Sequence, residues 1–190
     1  MSDAESHRKG LAAVFSSARF PPLESCTFVW VVSIRAAVPL DLPFVKRMLY
    51  EAANRPGGEW PSFVESMNED RNRRFWTDFP REGELGVIAV EGERPVGACW
   101  VRYLRGSELS EIDDPLVPVL AIGVEEDVRG DGVGSALLAA LITYADDHGI
   151  ARISLTTGLS NIAAVRLYER NGFLEVRRQG DAVQMIRSAD

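Results

Sequence analysis

The sequence has few of the residues that bind metals or form disulfides. Its 190 residues include two cysteines, Cys26 and Cys99, and two histidines, His7 and His148. Two cysteines cannot build the disulfide framework of a small secreted domain, and these four residues do not have the spacing of a zinc site. We therefore predict a cytoplasmic protein without a metal centre.

Long apolar runs and an excess of positive charge are also missing. The chain has 21 Lys and Arg against 28 Asp and Glu, which gives a formal net charge of −7. Nucleic-acid binding without sequence preference needs a basic face. A transmembrane helix needs about 20 consecutive apolar residues, and the apolar run at 11–15 is also too short for a signal peptide. Composition therefore predicts no nucleic-acid or membrane partner and favours neutral or cationic small substrates.

The residues that are present suffice for one α/β domain. Hydrophobic residues make up 46% of the chain, enough for a substantial core. Residues 1–27 have no sustained periodicity and predict a poorly ordered N-terminal extension, whereas residues 28–190 form the predicted domain. Strands are predicted at 28–35, 85–91, 95–104, 117–124, 152–157, 173–178 and 182–187.

Helices are predicted between these strands. One begins at Asp41 as its N-cap, one or two lie within 61–79, one follows Gly134, and one begins at Asn161. Within the second region, residues 68–74 mix both charge signs, which is typical of a solvated helix surface.

Three alternate glycines join an apolar strand to a helix. The strand is 117–124, and Gly130, Gly132 and Gly134 follow it. Glycine adopts backbone angles that other residues avoid and lets a ligand approach the main chain. The N–H groups of a first helical turn, and the partial positive charge there, attract anions. Arg129 would add a guanidinium suited to phosphate, so the stretch predicts a phosphate site, with an ordinary turn as the alternative.

Spacing separates the known phosphate-binding loops. A nucleoside-triphosphate loop needs lysine after its last glycine, but Ser135 follows Gly134. A dinucleotide-binding loop would have its third glycine at Ser135 or Leu137, and the strand after the helix ends in threonines at 156–157 instead of an acid. The pattern R-x-x-G-x-G, which begins at Arg129, resembles the acetyl-CoA signature Q/R-x-x-G-x-G/A of the GCN5-related N-acetyltransferases.

A second block strengthens this resemblance. Residues 161–173 read NIAAVRLYERNGF and resemble the family pattern N-x-x-A-x-x-L-Y-x-x-x-G-F, one helix and one strand downstream. The resemblance covers about residues 32–187, with its specific motifs between 120 and 173. It implies a mixed, mostly antiparallel, twisted sheet of six or seven strands flanked by about four helices. Acetyl-CoA would bind where the fourth and fifth strands splay apart.

The resemblance also implies roles for individual residues. Those implied at the phosphates of acetyl-CoA are Arg129, Gly130, Gly132, Gly134 and Ser135. The backbone of Ile122 and Val124 would lie along the pantetheine arm. Asn161 has two interpretations that can both hold, a helix N-cap and a contact to the cofactor arm. Tyr168 would act as general acid at the CoA sulfur, although aromatic residues on helices commonly fill the core.

The acceptor amine must lose a proton before it attacks the thioester. The acidic stretch 106–115 contains the candidate bases Glu111, Asp113 and Asp114, and a solvated loop is the alternative for it. Neither cysteine matches a family motif for a covalent nucleophile, so the resemblance implies direct attack on bound acetyl-CoA.

The sequence thus predicts an N-acetyltransferase that acts on a primary amine, more readily a small molecule than a protein N-terminus. Two alternatives remain. One is a non-catalytic module that binds acyl-CoA, and the other is a partner-binding protein whose glycine loop is only a turn. The sequence does not identify the acceptor or decide whether the protein is a homodimer.

Overall fold

One mixed sheet organises the fold in a computed structural model that describes residues 32–53, 61–108 and 114–189. Its seven strands are β1 (Val32–Ala36), β2 (Gly86–Glu91), β3 (Arg94–Arg102), β4 (Val119–Val124), β5 (Arg152–Gly158), β6 (Leu174–Gln179) and β7 (Ala182–Ser188). They lie in the order β1-β2-β3-β4-β5-β7-β6. The predicted N-terminal extension and the first four residues of the predicted strand 28–35 lie outside the described residues.

Strand pairing divides the sheet into two antiparallel parts. β1 to β4 form one antiparallel part, and β5, β7 and β6 form the other. The two parts meet where β4 and β5 run parallel, and there the described residues form one backbone pair, Val119 with Ser154. Beyond that pair the two strands diverge, as the resemblance implies. The predicted mixed, mostly antiparallel sheet is confirmed.

Five α-helices accompany the sheet within the described residues. They are α1 (Leu42–Ala53), α2 (Phe63–Asn68), α3 (Asp70–Arg73), α4 (Val133–Asp147) and α5 (Ile162–Arg170). This agrees with the prediction of about four helices, of which one or two were expected within 61–79; the chain forms two short ones there. Glu69 separates them, since its extended backbone (φ −67°, ψ 134°) ends α2. None of these helices is long and apolar enough to cross a bilayer.

The start of α1 differs from the prediction that Asp41 is its N-cap. A short 3₁₀ helix, Pro39–Asp41, precedes α1. The Asp41 carboxylate accepts hydrogen bonds from the Val38 N–H (2.8 Å) and from both terminal nitrogens of Arg35 (2.7 Å each). Asp41 therefore binds residues that precede the helix instead of the N–H groups of its first turn.

Two apolar clusters cover the sheet. The larger one contains the buried stripe of α4, including Leu137, Leu138 and Leu141. The smaller one joins α1 and α2 to the strands through residues such as Met48 and Trp100. α1 lies directly against β4, because a Cβ atom added at Gly123 would come within 2.1 Å of the Met48 carbonyl oxygen. A residue larger than glycine at position 123 would therefore push α1 away from the sheet.

Candidate active site

The divergence of β4 and β5 opens a cavity of about 540 Å³. β4 contributes residues 120–124 and β5 residues 155–157. The remaining wall comes from α1, from residues 72, 75, 129 and 134, and from the segment 160–168. Cavities of about 300 to 1,000 Å³ are typical of small-molecule sites. The cavity therefore has the size and position expected of a binding site at a break in a sheet.

The edge of β4 that faces this cavity carries backbone groups that pair with no other strand in the described residues. Glu125 donates its N–H to the Val96 carbonyl of the neighbouring chain segment, at 2.9 Å. Successive residues of a strand direct their N–H and C=O groups to alternate sides. The backbone groups of Val124 and Ile122 therefore point away from β3 and toward the gap. This places both predicted backbone contacts along the cavity.

The first turn of α4 presents free N–H groups beside the cavity. Gly132 occupies the N-cap position with φ of +86°, and Gly130 has φ of +95°. The backbone bond from the Ala136 N–H to the Gly132 carbonyl (3.0 Å) begins the helix. The three preceding N–H groups, at residues 133–135, have no carbonyl acceptor within the helix. Such a turn is suited to an anion.

Arg129 is held at the cavity wall by two hydrogen bonds. Its Nε donates to the Val124 carbonyl at 3.1 Å, and one terminal nitrogen donates to Glu51 of α1 at 2.8 Å. A second ion pair, between Arg47 and Glu125, joins α1 to the same loop. These partly exposed pairs add little stability, but they fix where the guanidinium stands.

Asn161 and Tyr168 both line the cavity from α5. The Asn161 side chain accepts a hydrogen bond from the Ala164 N–H at 3.3 Å, which confirms the predicted N-cap. Tyr168 is 7% exposed, and its ring lies 5.8 Å from the Phe173 ring. Its hydroxyl has no hydrogen-bond partner among the described residues. Burial, with a smaller contribution from Cys99, raises the pKa of Tyr168 above its usual value, so the hydroxyl stays a neutral donor.

The structure brings most of the predicted site residues together. Those that line the cavity are Ile122, Val124, Arg129, Gly134, Asn161 and Tyr168. Gly130, Gly132 and Ser135 lie beside it, in the loop and the first turn of α4. Gly130 and Gly132 form the turn before the helix, and Ser135 carries one of the N–H groups of the first turn that have no acceptor within the helix.

The candidate bases are not brought to the cavity in the part of the chain that the structure describes. Asp114 is exposed, accepts the Leu116 N–H at 2.8 Å and lies 3.6 Å from Arg152. It is not a lining residue. Glu111 and Asp113 fall outside the described residues.

Cys99 is a buried residue of the core. Its side chain is completely enclosed, and burial raises the pKa of the thiol well above its usual value. A neutral, enclosed thiol is neither nucleophilic nor accessible. This agrees with the implied direct attack; Cys26 lies outside the described residues.

Glu51 and Asn72 are among the cavity residues that were not predicted as site residues. Glu51 reaches Arg129 across 78 positions of sequence, and no local pattern marks such a pair. Asn72 lies in the segment 68–74 that was predicted to be a solvated surface, yet it is only 7% exposed and lines the cavity. The prediction was wrong for Asn72 because one side of the single-turn helix α3 packs beneath α2.

Comparison with known proteins agrees with this geometry. Residues 48–173, more than half of the chain, match the acetyltransferase (GNAT) family. A mycothiol acetyltransferase of Salinispora tropica is 46% identical over 165 residues, covering 76% of this chain and 51% of that protein. The mycothiol acetyltransferase of Kocuria rhizophila is 35% identical over 106 residues, which cover 55% of this chain and 33% of that protein. The chain thus spans about half, or less, of the length of these relatives.

Solved structures show the same fold. The PaiA N-acetyltransferase of Thermoplasma acidophilum, in complex with coenzyme A, has a TM-score of 0.64 at 15% identity and covers 84% of this chain and 99% of its own. The ribosomal-protein-S18-alanine N-acetyltransferase of Escherichia coli has a TM-score of 0.57 at 21% identity. The match covers 83% of this chain and 94% of that protein.

Proposed function

Because the chain belongs to the acetyltransferase (GNAT) family, we propose that it moves an acetyl group from acetyl-CoA to a primary amine in the cavity between β4 and β5. The predicted family, enzyme class and co-substrate are confirmed at the level of the family. The acceptor and the role of each residue are our proposal. One observation carries it: the cavity joins the free first turn of α4 to the buried hydroxyl of Tyr168.

The residues present fit acetyl-CoA. The N–H groups at the start of α4 and the guanidinium of Arg129 suit its phosphates. The Val124 N–H and the N–H and C=O of Ile122 suit the amide groups of its pantetheine arm, because an open strand edge offers both donors and acceptors. Asn161 lies on the opposite wall, where its side chain would contact the same arm.

Acetyl-CoA supplies an activated thioester when it is bound. The role that we assign to Tyr168 is to donate a hydrogen bond from its hydroxyl to the sulfur as it leaves. With unperturbed pKa values, full transfer of the proton to a thiolate would be uphill by about 2 kcal/mol. Burial raises the pKa of Tyr168 and makes full transfer still less favourable. Tyr168 therefore acts by hydrogen bonding, and the sulfur takes its proton later from solvent.

The acceptor amine must shed a proton before attack. Asp114 pairs with Arg152 outside the cavity, which leaves Glu111 and Asp113 as the bases to test first. We favour a small-molecule acceptor over a protein N-terminus. The two sequence relatives named above are mycothiol acetyltransferases, and mycothiol is a small molecule. The similarity to the S18-alanine enzyme, at 21% identity, is a similarity of fold alone.

The test is release of the free CoA thiol from acetyl-CoA by the purified protein with a panel of primary amines. Calorimetric titration with acetyl-CoA, without amine, runs beside it. We expect binding and amine-dependent thiol release. Binding without release on any amine would favour a non-catalytic module, and absence of binding at millimolar acetyl-CoA would overturn the assignment of the cavity.

A further inference from the structure

The end of the cavity remote from α4 is built by side chains of α3 and the segment after it. Trp100 of β3 pairs with Ala121 of β4, and its indole N–H donates to the Phe75 carbonyl at 3.0 Å. Phe75 in turn donates its N–H to the Asn72 carbonyl at 3.0 Å. Ala121 precedes Val124 by about 10 Å of strand. Asn72 and Phe75 therefore line the end of the cavity beyond the predicted phosphate contacts.

The side chain of Asn72 is held in one orientation. Its Nδ2 donates to the Ser66 carbonyl at 2.8 Å and to the Ser66 hydroxyl at 3.1 Å, and both residues are buried. A carbonyl can only accept, so the amide nitrogen must face Ser66. Oδ1 is then the free end, and it accepts no hydrogen bond from any other residue in the described ranges. Asn72 is 7% exposed and lines the cavity, and Oδ1 is not one of the fully enclosed polar atoms without a partner in the described residues, so it is reached from the cavity. A fixed acceptor that a cavity can reach and that no protein group occupies points to a ligand.

We propose that Asn72 Oδ1 accepts a hydrogen bond from an N–H of the acceptor amine and thereby orients its nitrogen; this inference rests on the proposed function. Oδ1 offers no proton, so it selects a ligand that donates. It is also neutral. A carboxylate in its place would stabilise the ammonium form and raise the pKa of the amine. A neutral acceptor positions the amine without opposing the deprotonation that attack requires.

The surroundings of Asn72 indicate the class of amine. The neighbouring cavity wall is apolar, with Leu49, Phe75, Leu120 and Ala121. Among the described lining residues the carboxylate is that of Glu51, and it pairs with Arg129. An apolar group would bury its surface here, whereas a second ammonium would find no described carboxylate free to receive it. The acceptor is therefore a primary amine carried on an aryl or alkyl group, in preference to a polyamine.

The test compares Asn72→Leu and Asn72→Ala with the intact protein, using benzylamine and spermidine as acceptors. Loss of one hydrogen bond between neutral groups predicts a rise in KM for benzylamine of about two- to tenfold. Affinity for acetyl-CoA should be unchanged by calorimetry. Ser62→Ala is the matched control, because it removes the cap of α2 (Glu65 N–H to Ser62 Oγ, 3.3 Å) without touching Asn72. It should lower the melting temperature and leave KM unchanged.

Competitive inhibition of the intact protein provides a measurement that does not depend on how the variants fold. Benzyl alcohol can donate a hydrogen bond to Oδ1, whereas benzyl methyl ether cannot. We expect the alcohol to inhibit benzylamine acetylation about two- to tenfold more strongly than the ether. Equal inhibition, an unchanged KM in the folded Asn72 variants, or a preference for spermidine would overturn the inference while leaving the proposed function intact. Failure of the proposed function is distinct: acetyl-CoA binds, but no amine releases CoA.

Discussion

The two ends of the cavity are built by different means. At the α4 end, the backbone of a glycine loop and of a helical first turn provides the donors, and Arg129 adds charge. At the other end, Asn72 provides a hydrogen-bond acceptor and Phe75 an apolar surface. Hydrogen bonds to Ser66 of α2 and from Trp100 of β3 hold these two residues in place. Backbone donors require particular residues at particular spacings, so they recur as a motif. Side-chain surfaces can be built from many segments. A family can therefore keep the same acetyl donor while its members differ in the amine that receives the acetyl group.

Tyr168 lines the same cavity from α5, and its substitution should have the largest effect. We expect Tyr168→Phe to lower kcat by about 100-fold or more, within the range of general-acid catalysis. Affinity for acetyl-CoA should be unchanged, because the phosphate and pantetheine contacts are separate. Steady-state kinetics and calorimetry measure the two quantities. Tyr144→Phe is the control, since Tyr144 packs on His148 of the same chain and does not line the cavity.

The pH profile checks the same role. Because burial raises the pKa of Tyr168, its hydroxyl keeps its proton above the ordinary tyrosine pKa of about 10. The intact protein should therefore lose no turnover through Tyr168 between pH 8 and pH 10. A decline there that Tyr168→Phe abolishes would contradict the assignment, as would normal turnover in that variant.

Substitution of Arg129 tests the contribution of charge at the α4 end. Arg129→Ala should weaken acetyl-CoA binding by about 10- to 100-fold, the effect of losing a hydrogen bond to a charged group. The variant also leaves Glu51 unpaired, which adds repulsion of the phosphates. Calorimetry at low and high salt should show the loss shrinking as salt screens the charges. Arg178→Ala makes the same charge change at an exposed ion pair with Glu175 on β6, and it should leave binding intact.

The sequence predicted the α4 end in detail and the Asn72 end hardly at all. Gly130 and Gly132 need positive φ, and the N-cap of α5 needs Asn161, so local geometry leaves a trace in the sequence. Asn72 lies among charged neighbours and is buried only because α2 and α3 fold against each other. Nothing in the sequence around Gly123 marks its close approach to Met48, which depends on the docking of a helix far away in sequence. Long-range docking has no local signature.

Gly132 tests whether the backbone itself provides the α4 end. An alanine there must adopt the left-handed conformation, which costs about 1 to 2 kcal/mol per residue. Gly92, in the turn between β2 and β3, also has positive φ (+60°), and neither glycine has a neighbour within 4 Å of an added Cβ. Gly132→Ala and Gly92→Ala should therefore lower stability similarly in denaturant unfolding.

Only Gly132→Ala should also weaken acetyl-CoA binding, by about three- to tenfold, because it displaces the N–H groups of the first turn. If both alanine variants bound acetyl-CoA equally well, the backbone of the first turn would not be the phosphate site, and the contrast between the two ends would fail.

Substitution of Glu51 should have the smallest effect. It tests whether the carboxylate beside Arg129 weakens acetyl-CoA binding. Its carboxylate occupies one donor of Arg129 at 2.8 Å and lies where it would repel phosphate. Glu51→Gln should therefore tighten acetyl-CoA binding by about two- to fivefold at low salt, with the gain fading as salt rises. Glu93→Gln, in the exposed turn after β2, is the control for net charge. Weaker binding in Glu51→Gln would mean that the carboxylate positions Arg129 for the phosphates. The α4 end would then also depend on a side chain from a distant helix, as the Asn72 end does.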